Sequence, residues 1–171
     1  LMLEVSADTL AEAEILADNL IKDLEKNNFG YHHPKVYGAD ISKVHYLRKA
    51  GLGALGNMVG DKKAVACIED TAVALEDLPA YIEEFTKIMT KYQQNAVYYA
   101  HAGAGELHLR PILNLKKKED VVLFRKITTE TAALVKKYKG SFSGEHGDGI
   151  VRAEFIPLMI GEQNYQLLRR I

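Results

Sequence analysis

The sequence predicts an α+β sandwich in which helices pack on one face of a mixed or antiparallel sheet. Apolar residues at helical spacing alternate along the chain with short apolar runs of strand length. Two of these runs, residues 95–100 and 107–113, are separated only by a glycine-containing turn. Such a pattern is typical of an antiparallel hairpin, which a purely parallel α/β sheet would not contain.

The first 38 residues predict one strand, one helix and a link. Residues 1–5 (LMLEV) are the expected strand, and Ser6 is the expected N-cap of the helix. The helix is expected to end at the Asn and Gly residues of 27–30, which favour left-handed caps. Residues 31–38 predict a weak strand or an extended link, because Pro34 has no N–H for a central ladder.

The middle of the chain predicts a second helix, a loop and a strand. The helix is expected to be capped by Asp40 and to end at the glycine-rich segment 51–63, which is predicted to be a mobile loop. The apolar run at 64–68 predicts a buried strand, and residues 69–79 are expected to connect it to the next helix.

Two further helices complete the prediction. Asp77 is the expected cap of the third helix, with Pro79 in its first turn. The fourth is expected to run from about Glu119 to Tyr138 and to stop at Lys139 and Gly140. A short helical tail is expected after residue 155.

Composition bounds the class of protein. The chain has 171 residues, 47% of them hydrophobic and 26% charged, which suits one globular domain or two small ones. Its net charge of −1 argues against a nucleic-acid or membrane-surface binder, and no apolar stretch reaches the roughly 20 residues of a membrane span. The single cysteine, Cys67, excludes an internal disulfide and favours a cytoplasmic location. The chain begins at Leu1, and we expect it to be a piece of a longer protein.

The segment HAGAGELH at 101–108 carries the first candidate site. If the residues between them close a hairpin, His101 and His108 are expected to lie directly opposite each other on adjacent strands. Two imidazoles so placed could bind one divalent ion, and Gly103 and Gly105 would let a ligand approach the backbone. The alternative is two half-buried histidines that each bind a carbonyl group.

The segment SGEHGDG at 143–149 carries the second candidate site. Gly144 and Gly147 bracket Glu145 and His146 in a tight loop where backbone could approach a ligand, and these glycines are our predicted cofactor contacts. One of the two side chains between them could complete a His–His–carboxylate metal site. The other could be a general base, since histidine titrates near neutral pH. The alternative is a polar turn.

Four other positions give less specific signals. Arg110 lies two residues after His108, so strand alternation places both on one face, where Arg110 could bind a substrate carboxylate or form a cross-strand ion pair. Arg48 and Lys63 flank the predicted glycine loop and could bind a carboxylate, although solvated charge is the simpler role. Cys67 is expected to be a core residue.

Together these motifs resemble a known family. HAGAGELH, followed some forty residues later by SGEHGDGIVR, is similar to the C-terminal substrate domain of FAD-linked oxidases of the vanillyl-alcohol-oxidase superfamily. That branch includes glycolate oxidase subunits, D-lactate dehydrogenases and D-2-hydroxyglutarate dehydrogenases. The resemblance implies a ferredoxin-like sandwich over residues 1–171, with an FAD-binding domain that lies N-terminal to it and is not represented here.

The resemblance also implies roles for individual residues. His101, His108 and Glu145 match the metal ligands of the 2-hydroxyacid dehydrogenase members, with zinc, iron or manganese as the metal. His146 matches the proposed base. Arg48 matches the arginine that binds the substrate carboxylate, and Lys63 is a second candidate for that role.

The sequence departs from the family pattern at three positions. The family usually reads H-x-G-D-G-N-x-H, whereas Ala104 and Glu106 replace the Asp and Asn here, and many members have Asn at the position of Arg110. The function expected from the resemblance is metal-assisted oxidation of a small 2-hydroxy acid to the 2-keto acid, with FAD as cofactor and an unknown electron acceptor. The alternatives are a metal-dependent hydrolase that uses the same His–His–Glu set, and a non-catalytic interaction module.

Overall fold

The first of two compact units carries the N-terminal helix. The computed structural model describes residues 1–171, apart from the side chain of Leu52, and the units are residues 1–51 and 52–171. Helix α1 (Leu10–Lys26) is capped by Thr9, which forms a capping box with Glu12; the prediction of Ser6 is wrong.

The predicted strand at 1–5 is also wrong, because residues 1–7 lie outside any helix or strand. All residues of the first unit are described, and none of them is in a strand. Residues 1–5 therefore have no strand in this unit with which to pair. Residues 32–37 are not a strand and correspond to the extended link that the prediction gave as the other possibility. Asp40 ends a short 3-10 turn before the next helix.

Helix α2 (Ile41–Gly56) is longer than predicted. It passes through Gly51 and Gly53, where the sequence pattern indicated that the helix would dissolve. Each interior glycine costs a helix about 1 kcal/mol relative to alanine, but Ala54 and Leu55, which follow Gly53, are strong helix formers. The predicted loop is therefore confined to residues after Gly56.

The second unit contains an antiparallel sheet built around one central strand. Strand β4 (Glu106–Leu113) pairs antiparallel with β1 (Lys63–Ala64), β2 (Ile68–Ala72) and β3 (Ala96–His101). Both β2 and β3 pair with residues 106–109, so these two strands lie along opposite edges of β4. The predicted hairpin of β3 and β4 is confirmed.

The predicted strand at 64–68 is wrong in its bounds. Ala64 ends β1 and Ile68 begins β2, which continues through polar residues that the sequence pattern assigned to a connection. A strand that is buried on one face and meets polar groups on the other is expected to contain both apolar and polar residues, and not a continuous apolar run. The register also shifts between Glu69 and Thr71, and Asp70 at the shift has a positive φ of 80°.

Two helices cover one face of this sheet, as predicted. They are α3 (Leu78–Lys91) and α4 (Lys118–Lys137), and Asp77 and Pro79 occupy the expected positions at the start of α3. The helices and the sheet share one apolar core, which includes Cys67, Ile68, Tyr81, Phe85, Met89, Leu107, Leu109, Ile127, Val135, Phe142 and Phe155.

The order of these elements is strand, helix, hairpin and helix, with β1 and β2 as the first strand. One isolated antiparallel bridge, between Ala72 and Ser141, then marks where a further strand would lie beside β2. This is the βαββαβ order of a ferredoxin-like sandwich, with its last strand reduced to a bridge. A tail of three short helices follows: α5 (Gly149–Arg152), α6 (Ile156–Ile160) and α7 (Glu162–Leu168).

The alternation of β4 separates the apolar core from a polar face. Leu107 and Leu109 pack in the core under the helices. Because successive strand side chains point to opposite faces, Glu106, His108 and Arg110 lie on the other face of the sheet. That face carries the candidate site. Among the residues whose side chains are described, no helix is long and apolar enough to cross a membrane.

Candidate metal centre

The two histidines of the hairpin share a face but are not directly opposite each other. In the ladder of β3 and β4, His101 faces Glu106, and His108 faces Tyr99. The prediction of a directly opposed histidine pair is therefore wrong by two residues, because the turn leaves Glu106, and not His108, opposite His101. The two imidazoles are diagonal neighbours, with ring centroids 5.3 Å apart.

The turn between β3 and β4 needs glycine at one position. Gly105 has a φ of 72°, and its carbonyl accepts a 3.0 Å hydrogen bond from the backbone N–H of Val73. A Cβ atom at Gly105 would collide with the backbone carbonyl oxygen of Val73. A glycine here therefore lets the turn pack against the end of β2, which sets the position of Glu106.

The loop of the second motif is attached to β2 through one buried carboxylate. Asp70, fully buried in β2, accepts hydrogen bonds from the backbone N–H groups of Glu145 at 2.7 Å and His146 at 2.8 Å. Its Oδ2 also accepts a 2.8 Å bond from the hydroxyl of Ser143, and its backbone carbonyl accepts one from Gly144 at 2.7 Å. These bonds place Glu145 and His146 over the polar face of the sheet.

The charge of Asp70 is stabilised by this arrangement. Burial by itself would raise the pKa of Asp70, but hydrogen bonds from Glu106, His146, Ser143 and Glu145 outweigh it and lower the pKa to about 2. The guanidinium of Arg152 lies 3.5 Å from Oδ2 of Asp70. The same guanidinium donates a 2.7 Å hydrogen bond to the carbonyl of Gly147, which fixes the far end of the loop.

Four side chains that could hold a metal ion converge above the hairpin. One potential ligand atom from each of His101, Glu106, His108 and Glu145 lies within 4.8 Å of all the others. Nε2 of His101 is 3.9 Å from Oε2 of Glu145. His108 and Glu106 are buried, whereas the side chains of His101 and Glu145 are 37% and 48% exposed, so the cluster opens to solvent on one side.

The electrostatics of the two buried members differ. Burial lowers the pKa of His108, the charge of Glu69 opposes this, and the imidazoles of His101 and His146 add to the lowering; the net effect favours the neutral form that binds metals. Burial, followed by the adjacent carboxyl groups of Asp70 and Glu145, raises the pKa of Glu106 to about 8. In addition, Oε1 of Glu106 is buried and has no hydrogen-bond partner among the described residues. Two imidazoles and two carboxyl groups, one of which carries this unpartnered oxygen, fit a divalent cation such as zinc, iron or manganese.

His146 belongs to a second, adjoining group. Its Nδ1 lies 3.3 Å from Oε1 of Glu69, and its ring stacks on that of His108 with centroids 5.5 Å apart. Glu69, His108 and His146 again have ligand atoms within 4.8 Å of one another. His108 is therefore common to both groups, and Glu69 is placed to orient His146.

The remaining predicted residues have different surroundings. Arg110 forms an ion pair with Glu69. Of the two roles predicted for Arg110, this is the cross-strand ion pair. Lys63 is exposed on β1 and donates a 2.5 Å hydrogen bond to the carbonyl of Met58. Arg48 lies on α2 in the first unit, so its part in the site stays a prediction.

The two glycines of the loop differ from each other. A Cβ atom at Gly144 would lie 3.4–3.5 Å from atoms of Asp70 and Ala72, which is ordinary van der Waals contact. A Cβ atom at Gly147, where φ is 75°, would have no neighbour within 4 Å. Cofactor contact at either glycine stays a prediction.

Sequence reasoning missed three members of the site. Glu69 and Asp70 were assigned to a connection, and Glu106 was noted only as a departure from a family pattern. One signal was available in the sequence. The acidic pair Glu69–Asp70 directly follows a buried apolar run, where a polar residue needs a specific partner.

Comparison with known protein families gives an independent observation. The family model for FAD-linked oxidases, C-terminal domain, matches residues 1–171, which is the entire chain. The chain belongs to this family. The resemblance drawn from its two histidine motifs is therefore confirmed.

Curated relatives of this FAD-linked oxidase domain are much longer proteins. The D-2-hydroxyglutarate dehydrogenase of Pseudomonas putida is 34% identical over 166 residues, which cover 96% of this chain and 16% of that enzyme. The D-2-hydroxyglutarate dehydrogenase of Escherichia coli is 35% identical over 133 residues, 78% of this chain and 13% of the enzyme. Glycolate oxidase subunit GlcD of Bacillus subtilis is 21% identical over 124 residues, 72% of this chain and 26% of the subunit. The chain thus spans about a quarter or less of each of these relatives.

Proposed function

We propose that this chain is the substrate- and metal-binding part of an FAD-dependent dehydrogenase that oxidises a 2-hydroxy acid to the 2-keto acid. The observation that carries the proposal is the convergence of His101, His108 and Glu145, within 4.8 Å of one another, in a domain of the FAD-linked oxidase family. The names of the relatives favour D-2-hydroxyglutarate as the first substrate to test. The FAD-binding domain, which we place elsewhere in the same protein, is the expected partner.

Each group of residues has a separate task in this proposal. His101, His108 and Glu145 hold a divalent metal, which when bound supplies polarisation of the substrate hydroxyl, while FAD supplies the hydride acceptor. His146 takes the hydroxyl proton, and Glu69 at 3.3 Å from its Nδ1 orients the ring for that transfer.

Two arginines are candidates for binding the substrate carboxylate. Arg110 lies on the polar face beside His108, and its guanidinium has five N–H donors, so the ion pair with Glu69 leaves donors for a second carboxylate. Arg48 has the same proposed task on the basis of the resemblance. The two assignments are distinguished by replacing each arginine with Gln and measuring KM for the hydroxy acid.

The first experiment is the metal content of the purified protein, measured by elemental analysis. We expect near-stoichiometric zinc, iron or manganese, and its loss in a His101→Ala/His108→Ala double variant. A His32→Ala/His45→Ala double variant, which removes two exposed histidines of the first unit, is the matched control and should retain the metal. Equal metal content in all three proteins would refute the metal site.

The second experiment tests the reaction in the protein that includes the FAD-binding domain. Addition of D-2-hydroxyglutarate without oxygen should bleach the visible absorption of the flavin. His146→Gln should slow this bleaching by about 100-fold or more, since a positioned general base contributes about 10²–10⁴-fold. Unchanged bleaching in the His146 variant would exclude it as the base.

A further inference from the structure

Glu106 occupies a position where a carboxyl group is costly unless it binds something. Only 4% of the residue is exposed, and no described residue forms a hydrogen bond with its Oε1. An unsatisfied buried polar atom costs a protein about 1–3 kcal/mol. Two other carboxyl groups, those of Asp70 and Glu145, lie against it. These surroundings disfavour a purely structural glutamate.

The direction of Glu106 is set by the ladder of β3 and β4. It faces His101 across the strands and precedes His108 by two residues on the same face. Its ligand atom lies within 4.8 Å of those of His101, His108 and Glu145. Atoms bound to one ion at about 2.0–2.2 Å lie up to about 4 Å apart. A slight closing of the cluster would therefore bring all four atoms onto a single ion.

We propose that Glu106 is a fourth protein ligand of the cation, which makes the centre a His–His–Glu–Glu site rather than a His–His–Glu site. This inference rests on the proposed function, because it assumes the cation that His101, His108 and Glu145 hold. The second carboxylate balances the remaining charge of a divalent ion. Attraction of the substrate carboxylates is then left to arginine side chains such as Arg110.

A glutamate that only donates a hydrogen bond to Asp70 is the competing explanation. Gln at position 106 separates the two roles, because its amide NH₂ group can still donate to Asp70. The amide lacks the negative charge that makes a carboxylate a strong ligand for a hard divalent cation. Glu106→Gln therefore keeps the structural hydrogen bond and removes the charged ligand.

The test is the affinity of the metal-free protein for Zn²⁺, measured by competition with a chelator, together with the visible spectrum of the Co²⁺-loaded protein. Glu106→Gln should weaken Zn²⁺ binding by about 10- to 100-fold or more and shift the Co²⁺ bands, with the thermal unfolding midpoint of the metal-free protein nearly unchanged.

Glu106→Asp, which keeps the charge on a shorter side chain, is the second variant if the Gln variant folds poorly, and it should weaken binding too. Glu84→Gln on α3 is the matched control and should bind Zn²⁺ normally.

The outcomes separate this inference from the proposed function. Normal Zn²⁺ affinity and an unchanged Co²⁺ spectrum in Glu106→Gln, beside weak binding in Glu145→Gln, would overturn the role of Glu106 and leave the three-residue site intact. Normal affinity in both variants and in His101→Ala would overturn the metal site itself, and the role of Glu106 with it.

Discussion

The backbone N–H of His146 donates a 2.8 Å hydrogen bond to Oδ2 of Asp70, a fully buried carboxylate on β2. This bond joins two segments that are 76 positions apart in the chain. With the parallel bond from Glu145, it holds the backbone of the loop against the sheet. The position of the candidate base and of one candidate ligand therefore depends on an aspartate that touches neither a substrate nor a metal in the proposed reaction.

We expect Asp70→Asn to destabilise the protein by about 2 kcal/mol at neutral pH, since it replaces a charged acceptor of several hydrogen bonds. The effect should depend on pH. The pKa of Asp70 is lowered from 3.8 to about 2, so the ionised form stabilises the fold above about pH 4, and this contribution is lost as the pH falls toward about 2. Urea unfolding of both proteins across this range measures the difference.

Asp61→Asn is the control for this experiment. Asp61 is an exposed residue that pairs with Lys116 on the surface, and its replacement should change the free energy of unfolding little at any pH. A stability difference between wild type and Asp70→Asn that stays constant from pH 7 down to about 2 would contradict the assigned role of the Asp70 charge.

The ion pair of Arg110 and Glu69 should contribute measurably to stability. Their side chains are only 18% and 13% exposed, so solvent screens the pair weakly. A double-mutant cycle with Glu69→Gln and Arg110→Gln should give a coupling energy of about 1–3 kcal/mol in urea unfolding. The exposed helical pair of Lys87 and Glu83 is the matched comparison and should show a smaller coupling of about 0.3–0.5 kcal/mol. Equal coupling in the two pairs would show that Arg110 is not held by Glu69 in solution.

Gly105→Ala should be strongly destabilising, by about 3 kcal/mol or more, because the residue has a positive φ and the new Cβ atom would collide with the carbonyl of Val73. Gly147→Ala shares the positive φ without a collision and should cost about 1–2 kcal/mol. Gly103→Ala has neither feature and should be nearly neutral. Thermal unfolding of the three variants tests this order, and equal effects at 105 and 147 would contradict the packing of the turn on β2.

Cys67 should be unreactive in the folded protein. It is fully buried, and burial raises the pKa of its thiol from 9.0 to about 11, which reduces the thiolate fraction by about 100-fold. Reaction with a chromogenic disulfide should therefore be at least about 100-fold slower in buffer than in urea. Because this is the only cysteine in the chain, the signal reports one site, and rapid reaction of the folded protein would contradict the burial of Cys67.

The sequence by itself determined the local features of this protein. The helical spacing of apolar residues and the position of Pro79 predicted α3 and α4, because these signals come from neighbours within a few turns. The glycine turn predicted the hairpin of β3 and β4. The two histidine motifs predicted the family, and with it the candidate ligands His101, His108 and Glu145, since each motif is contained in a short segment.

Only the tertiary structure decided which side chains meet. The pairing of His101 with Glu106, rather than with His108, depends on the strand register of the folded hairpin, because the two pairings put the same residues on the same face and differ only by two residues in register. Glu69 and Asp70 have no strand-like apolar pattern, because their partners are Arg110, His146 and the loop backbone, all distant in sequence. The arrangement that joins β2, the hairpin and the loop into one site is set by contacts between distant segments, and no local pattern encodes such contacts.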